Sequence, residues 1–243
     1  MAGTWRGILG TVKVSFGTTG ATEEFIRLLP EGIGVVITYA AVTEHSVEGF
    51  REAFDGYDRK VAKLAQLGVC DLIQPEGAPP FMVRGVAAER EIVRGWEEQH
   101  KVPVFTSSMI EVAALEALDI HRFLGFTYYS DTLCDVFTRY FSEAGFDVAG
   151  METMPARPPD WTRPSVEDIY AHIKTALRGY AGIEGIYLHG PSSWGRVKDI
   201  LPLLEGLGVP VVHQAAARVW YVQKRLQVRE PVEGAGRLLA VMP

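Results

Sequence analysis

The sequence predicts an α/β protein made of two pseudo-symmetric, doubly wound halves, each with four parallel strands. Three observations carry this. Eight short apolar runs rich in β-branched residues alternate with amphipathic stretches of helical length, the pattern of right-handed βαβ units. The first four runs map onto the last four at a nearly constant offset: Ile8 to Phe123 is 115 residues, Ile33 to Phe146 is 113, Ile73 to Ile186 is 113 and Val104 to Val211 is 107. Duplication of a four-strand unit gives such spacing. The chain of 243 residues is 47% hydrophobic and 22% charged, enough for a substantial core. A single closed (β/α)₈ barrel of duplicated half-barrels is the alternative.

In chain order, the predicted strands are Gly7 to Val14, Ile33 to Tyr39, Cys70 to Gln74, Val102 to Thr106, Phe123 to Tyr128, Phe146 to Gly150, Gly185 to His189 and Pro210 to His213. Between the second and third, Val47, Phe50, Phe54, Val61, Leu64 and Ala65 fall on one stripe, which predicts a helix over Val47 to Gln66. Ser107 or Ser108 is placed to cap the helix after the fourth run. Ser165-Val166-Glu167-Asp168 opens another helix, after a Pro-rich loop from Pro155 to Pro164 that is long enough to act as a flap. The expected division is residues 1–115 with 216–243 as one half and 116–215 as the other, with the active site in the cleft between them.

Composition removes several function classes. With 24 basic against 30 acidic residues the formal net charge is -6, so the concentrated basic face of a nucleic-acid partner is not expected. No apolar run approaches the roughly 20 residues that span a bilayer, and the first residues lack the pattern of a secretory signal. Two cysteines, Cys70 and Cys134, suit a reducing compartment. The expected location is the cytoplasm, and a homo-oligomer is the expected assembly. The six histidines show no paired metal-ligand spacing, so no metal site is expected. Gly17-Thr18-Thr19-Gly20 lacks the lysine and glycine spacing of a nucleotide loop, and Gly234-Ala235-Gly236-Arg237 reads as a turn.

Ligands of parallel α/β folds bind beyond the carboxyl ends of the strands. The residues there are Ser15 to Gly20, Glu76 to Pro80, Thr106 to Ser108, Tyr128 to Thr132, His189 to Ser193, and His213-Gln214. Hydroxyls and free N–H groups at helix starts form anion sites, and several converging on one cleft suit a small carboxylate. Each is also an ordinary cap when taken alone.

Taken together, Leu9 to Ser15, Thr127-Tyr128-Tyr129, Val209 to Ala216 and Gly234 to Leu239 resemble, in order and spacing, the maleate cis-trans isomerase and arylmalonate decarboxylase group of the aspartate/glutamate racemase superfamily. The resemblance implies two doubly wound halves around a central site and cofactor-free chemistry at a carbon next to a carboxylate. It implies that racemases of the superfamily use one cysteine per half, and that the decarboxylase keeps only the second, with glycine at the first. The matching positions here are Gly77 and Gly190, so both thiols are missing. Val14 stands where the family usually has proline, and Gly17 where isomerases often have asparagine. Tyr129 matches the family's active-site tyrosine, which donates to a substrate carboxylate or enediolate.

Without a thiol the acid/base work falls to other groups. Glu76 precedes Gly77 and His189 precedes Gly190, at pseudo-equivalent places, and Lys13 interrupts an apolar strand near the same edge. A carboxylate and an imidazole across a cleft can exchange protons with a substrate. The bland alternative is a Glu76–Lys13 ion pair and a His189 bound to backbone. Strand alternation also allows either residue to point away from the cleft. Cys134 near a helix start is a further candidate nucleophile, with packing as the competing role. The expected function is a cofactor-independent lyase or isomerase on a small mono- or dicarboxylate, through an enediolate-like intermediate. Tyr129, Glu76 and His189 are the expected catalytic residues. Ser15, Thr18, Thr19, Gly77, Ala78, Ser107, Gly190, Ser192 and Ser193 are expected to bind substrate. A hydrolase using activated water and a non-catalytic carboxylate binder are the alternatives.

Overall fold

Two parallel sheets with the same strand order carry the two halves of the sequence. A computed structural model of the chain describes residues 3–14, 19–40, 42, 44–129, 131–154, 164–190, 196–240 and 242, with backbone alone at 19, 20 and 131. In the first sheet β1 (Gly7–Lys13) lies between β2 (Ile33–Tyr39) and β3 (Leu72–Pro75). In the second, β4 (Arg122–Thr127) lies between β5 (Asp147–Thr153) and β6 (Gly185–His189), with β7 (Val211–His213) beyond β6. Every strand pair is parallel. Among the described residues neither sheet closes into a barrel.

The duplication is visible in single hydrogen bonds. The Ile8 amide at the start of β1 donates to Asp71 Oδ2 at 2.7 Å, and the Arg122 amide at the start of β4 donates to Glu184 Oε2 at 2.9 Å. Likewise Ile73 donates to the Pro103 carbonyl and Ile186 to the Pro210 carbonyl, each at 2.9 Å. Here the two halves part. The expected strand Val102 to Thr106 is reduced to one isolated bridge, Ile73 to Val104, whereas Ile186 to Leu188 pairs with Val211 to His213. The cause is residue 75. A parallel ladder would next use its N–H, and Pro75 has none, whereas Leu188 at the equivalent place does.

Helices fill the crossovers where the apolar stripes predict them. The expected helix from Val47 to Gln66 is two, α2 (Val47–Glu52) and α3 (Phe54–Gln66), interrupted at Ala53. The stripe keeps its phase across the break, burying Phe50, Tyr57, Val61 and Leu64. Ser165 forms a capping box with Asp168 at the start of α8 (Val166–Leu177), as its sequence predicts. At α6 (Ser107–Ala117) the cap is Thr106, whose Oγ1 accepts from the Met109 amide at 3.2 Å, rather than Ser107 or Ser108. Both serines instead turn inward to buried partners. The last long helix, α10 (Gln214–Arg225), packs on α6 and on α1 (Thr19–Leu28), so the end of the chain returns to the first half.

Candidate active site

The carboxyl ends of β1, β3 and β6 bring three of the expected residues to one edge. Lys13 ends β1, Glu76 follows β3 and His189 ends β6. All three point inward, but into two different clusters.

Glu76 lies in an ion cluster. Its Oε1 accepts from Lys13 Nζ at 2.8 Å, and its Oε2 is 3.0 Å from Arg218 Nη1. Arg218, on α10, also donates through Nε to Gln74 Oε1 at 2.7 Å and through Nη2 to Thr11 Oγ1 at 2.9 Å, and its guanidinium stacks over Phe25. Lys13 is 2% exposed and Arg218 8%, so both cations need the carboxylate. Burial pushes the Glu76 carboxyl up, but Arg218 and Lys13 outweigh it and hold the group below its ordinary value. Glu76 is therefore a firm anion and a weak base. The ion-pair alternative for Glu76 and Lys13 describes its contacts, with Arg218 as a second cation.

His189 lies in the other cluster. Its Nδ1 is 3.1 Å from Glu111 Oε1 and 3.0 Å from the Tyr187 hydroxyl, and Tyr187 donates to Glu111 Oε2 at 2.8 Å. All three are buried. The imidazole packs against aromatic rings, with centroid distances of 5.0 Å to Phe137, 5.8 Å to Tyr129 and 6.3 Å to Tyr128. Tyr128 donates its hydroxyl to that of Tyr129 at 2.8 Å, which leaves the Tyr129 proton for another acceptor. Burial raises the Tyr129 hydroxyl well above its usual range, so it stays a proton donor.

A cleft of about 400 Å³, part of it open to solvent, lies against the ion cluster, with Glu24, Phe25, Glu76, Gly190, His213 and Arg218 among its walls, and Gly190 directly follows His189 in the chain. His213 caps α10 by accepting from the Ala215 amide at 3.1 Å. Burial, reinforced by neighbouring His189, pushes it down to about 4, so it is neutral at physiological pH.

The remaining expected residues divide. Gly77 has φ +99°, and a Cβ there would sit 2.3 Å from Val14 Cγ2, so this position admits only glycine without strain. Its amide donates to Ser107 Oγ at 3.0 Å, which ties Ser107 to the loop after β3. Ala78 precedes the short α4 (Pro79–Met82), and Gly190 lines the cavity. Thr19 opens α1. Its side chain lies outside the described residues, as do Ser15, Thr18, Ser192, Ser193 and the 155–163 stretch of the expected flap. Cys70 is buried at the amino end of β3, far along the strand from the cavity edge, and burial pushes its thiol up. Cys134, on α7 (Asp131–Glu143), is buried beside the Tyr129 carbonyl and Thr153 Oγ1. Among the described residues no three His, Cys, Asp or Glu side chains are placed to hold a metal ion, and no helix is long and apolar enough to cross a membrane.

Sequence reasoning passed over Glu111 and Arg218. A signal existed for both. Glu111 shares the buried face of α6 with Ile110, Ala114 and Leu115, and Arg218 that of α10 with Ala217, Tyr221 and Val222. A charge inside an apolar stripe needs a buried partner.

The family model described as arylmalonate decarboxylase matches residues 23–239. Among solved structures, unliganded arylmalonate decarboxylase is 16% identical with a TM-score of 0.82, over 96% of this chain and 98% of that one. The Nocardia farcinica maleate cis-trans isomerase bound to TRIS is 20% identical with a TM-score of 0.81, over 96% and 98%. The maleate isomerase Iso from Pseudomonas putida S16 is 17% identical with a TM-score of 0.80, over 98% and 99%. At these identities the likeness is one of fold. Among curated proteins none matches the sequence.

Proposed function

The chain belongs to the arylmalonate decarboxylase family, and from that premise we propose a cofactor-independent lyase or isomerase that acts on a small mono- or dicarboxylate through an enediolate-like intermediate. The observation that carries the reading is the pairing of His189 with Tyr129, ring centroids 5.8 Å apart, beside the cavity residue Gly190. In this reading His189 is the proton carrier and Tyr129 the hydroxyl donor, next to Gly190, the position where the family resemblance puts a thiol.

In the decarboxylase form, the bond from the α-carbon to one carboxyl group breaks and carbon dioxide leaves. The electron pair moves into the remaining carboxylate, which becomes an enediolate. Tyr129 donates to the oxygen on which charge develops, an effect strongest in a dry site. His189 then delivers a proton to the α-carbon and regains one from solvent. Glu76 has a different part in this reading from the proton transfer first expected of it: as an anion between Lys13 and Arg218, it fixes the charged wall of the cavity. Ala78, Ser107 and Gly190, with Ser15, Thr18, Thr19, Ser192 and Ser193, supply the amides and hydroxyls proposed to hold carboxylate oxygens, and Gly77, whose amide is donated to Ser107 Oγ, orients that hydroxyl.

Incubation with a panel of aryl- and alkylmalonates and maleate in D₂O, followed by NMR, tests the reaction. The expected result is turnover of at least one substrate, with a solvent deuteron on the α-carbon of the decarboxylation product. His189→Ala and Tyr129→Phe should each lower kcat by about 10²-fold or more. Near-normal turnover in both variants would overturn the assignment. A cytoplasmic homo-oligomer completes the proposal, and sedimentation of the purified chain tests the assembly.

A further inference from the structure

We propose that Glu111 is the positioning residue for His189, fixing its proton on Nδ1 so that Nε2 is the nitrogen that meets substrate. The inference rests on the functional reading of His189 above and adds a residue from the other half of the molecule.

The argument follows the hydrogens. Tyr187 has a single hydroxyl proton, and it is donated to Glu111 Oε2 at 2.8 Å. The Tyr187 oxygen, 3.0 Å from His189 Nδ1, can then only accept. The other neighbour of Nδ1 is Glu111 Oε1 at 3.1 Å, an acceptor when ionised. Both partners of Nδ1 are therefore acceptors, and an imidazole nitrogen facing two acceptors carries the hydrogen. Nε2 is left with the lone pair in the neutral ring, or with the mobile proton in the charged one. Either state lets it exchange a proton with a substrate.

The pieces come from both halves and are fixed by regular structure. Tyr187 and His189 are two apart on β6, so both side chains leave the same face of the strand. Glu111 comes from the middle of α6, between the buried residues Ile110 and Ala114. Glu111 is 1% exposed and His189 3%, so water does not compete for Nδ1. The order carboxylate, imidazole, reacting atom is the arrangement by which a carboxylate selects a histidine tautomer in other enzymes.

Nitrogen-15 NMR of the histidine ring, assigned by comparison with His189→Ala, tests this without any substrate. In the wild-type chain at neutral pH a proton on Nδ1 of His189 is expected, and a bare Nδ1 with a protonated Nε2 would overturn the inference. In Glu111→Gln the amide can offer a donor to Nδ1, and the proton is expected to move to Nε2. Retention of the wild-type ring signature in that variant would also overturn it. If Glu111→Gln does not fold, the wild-type spectrum alone decides. Once a substrate is found, Glu111→Gln should lose about 10²- to 10⁴-fold in kcat with little change in KM, and Glu111→Asp should recover part of the loss. An Nδ1 proton in a chain that turns over nothing would leave the tautomer assignment intact and defeat the proposed function instead.

Discussion

The Arg218 guanidinium meets the Glu76 carboxylate at 3.0 Å, joining the last long helix to the loop after β3 in a site closed to water on most sides. Lys13 reaches the same carboxylate from β1 at 2.8 Å. One anion thus holds two buried cations, and stability and charge at the cavity wall depend on it.

Glu76→Gln should destabilise the fold by about 3 kcal/mol or more, because it strands Lys13 and Arg218 as unpaired buried charges. Urea denaturation at neutral pH measures this. A loss within about 0.5 kcal/mol, the range of an ordinary surface change, would mean that water reaches the pair freely.

Acid should expose the same linkage. Burial raises the Glu76 carboxyl, yet Arg218 first and Lys13 next bring the folded value below the ordinary 4.5. The unfolded chain therefore binds this proton at higher pH than the folded one. The stabilisation is fully present above about 4.5 and is lost as pH falls from there through the folded value. The denaturation midpoint should drop in that window, and Glu76→Gln should flatten the drop.

His213 should act in a window just above. Its folded value is lowered from 6.5 to about 4, by burial and then by His189, so it stays neutral where the unfolded residue takes up a proton. Stability from this residue is present above 6.5 and is lost as pH falls toward 4. His213→Asn keeps an acceptor for the Ala215 amide but does not titrate. Its stability should change less between pH 6.5 and 4.5 than that of the wild type, and equal slopes would argue against a buried neutral His213.

Gly77→Ala should cost about 1–3 kcal/mol from the backbone alone, since φ is +99°. The added Cβ also meets Val14 Cγ2 at 2.3 Å. Pairing the substitution with Val14→Ala should therefore recover the steric part and leave the backbone part. Chemical denaturation of the single and double variants separates the two.

What the sequence determined on its own was periodic or local. The strands at Ile33 to Tyr39 and Gly185 to His189 fall where their apolar runs place them, and the repeat spacing foretold two sheets of one topology. Ser165 and Asp168 wrote their own capping box. These features are set by residues within a few positions of one another, or by a pattern copied along the chain. The pairing of side chains was decided only in three dimensions. Glu76 and His189 look equivalent in sequence, each one residue before a glycine, yet Arg218 and Lys13 hold one as an anion and Glu111 and Tyr187 hold the other by its ring nitrogen. Three of these partners, Arg218 on α10, Glu111 on α6 and Lys13 on β1, lie far away along the chain, and only Tyr187 is a near neighbour. The charge state and hydrogen-bonding role of a buried group depend on what folding packs against it.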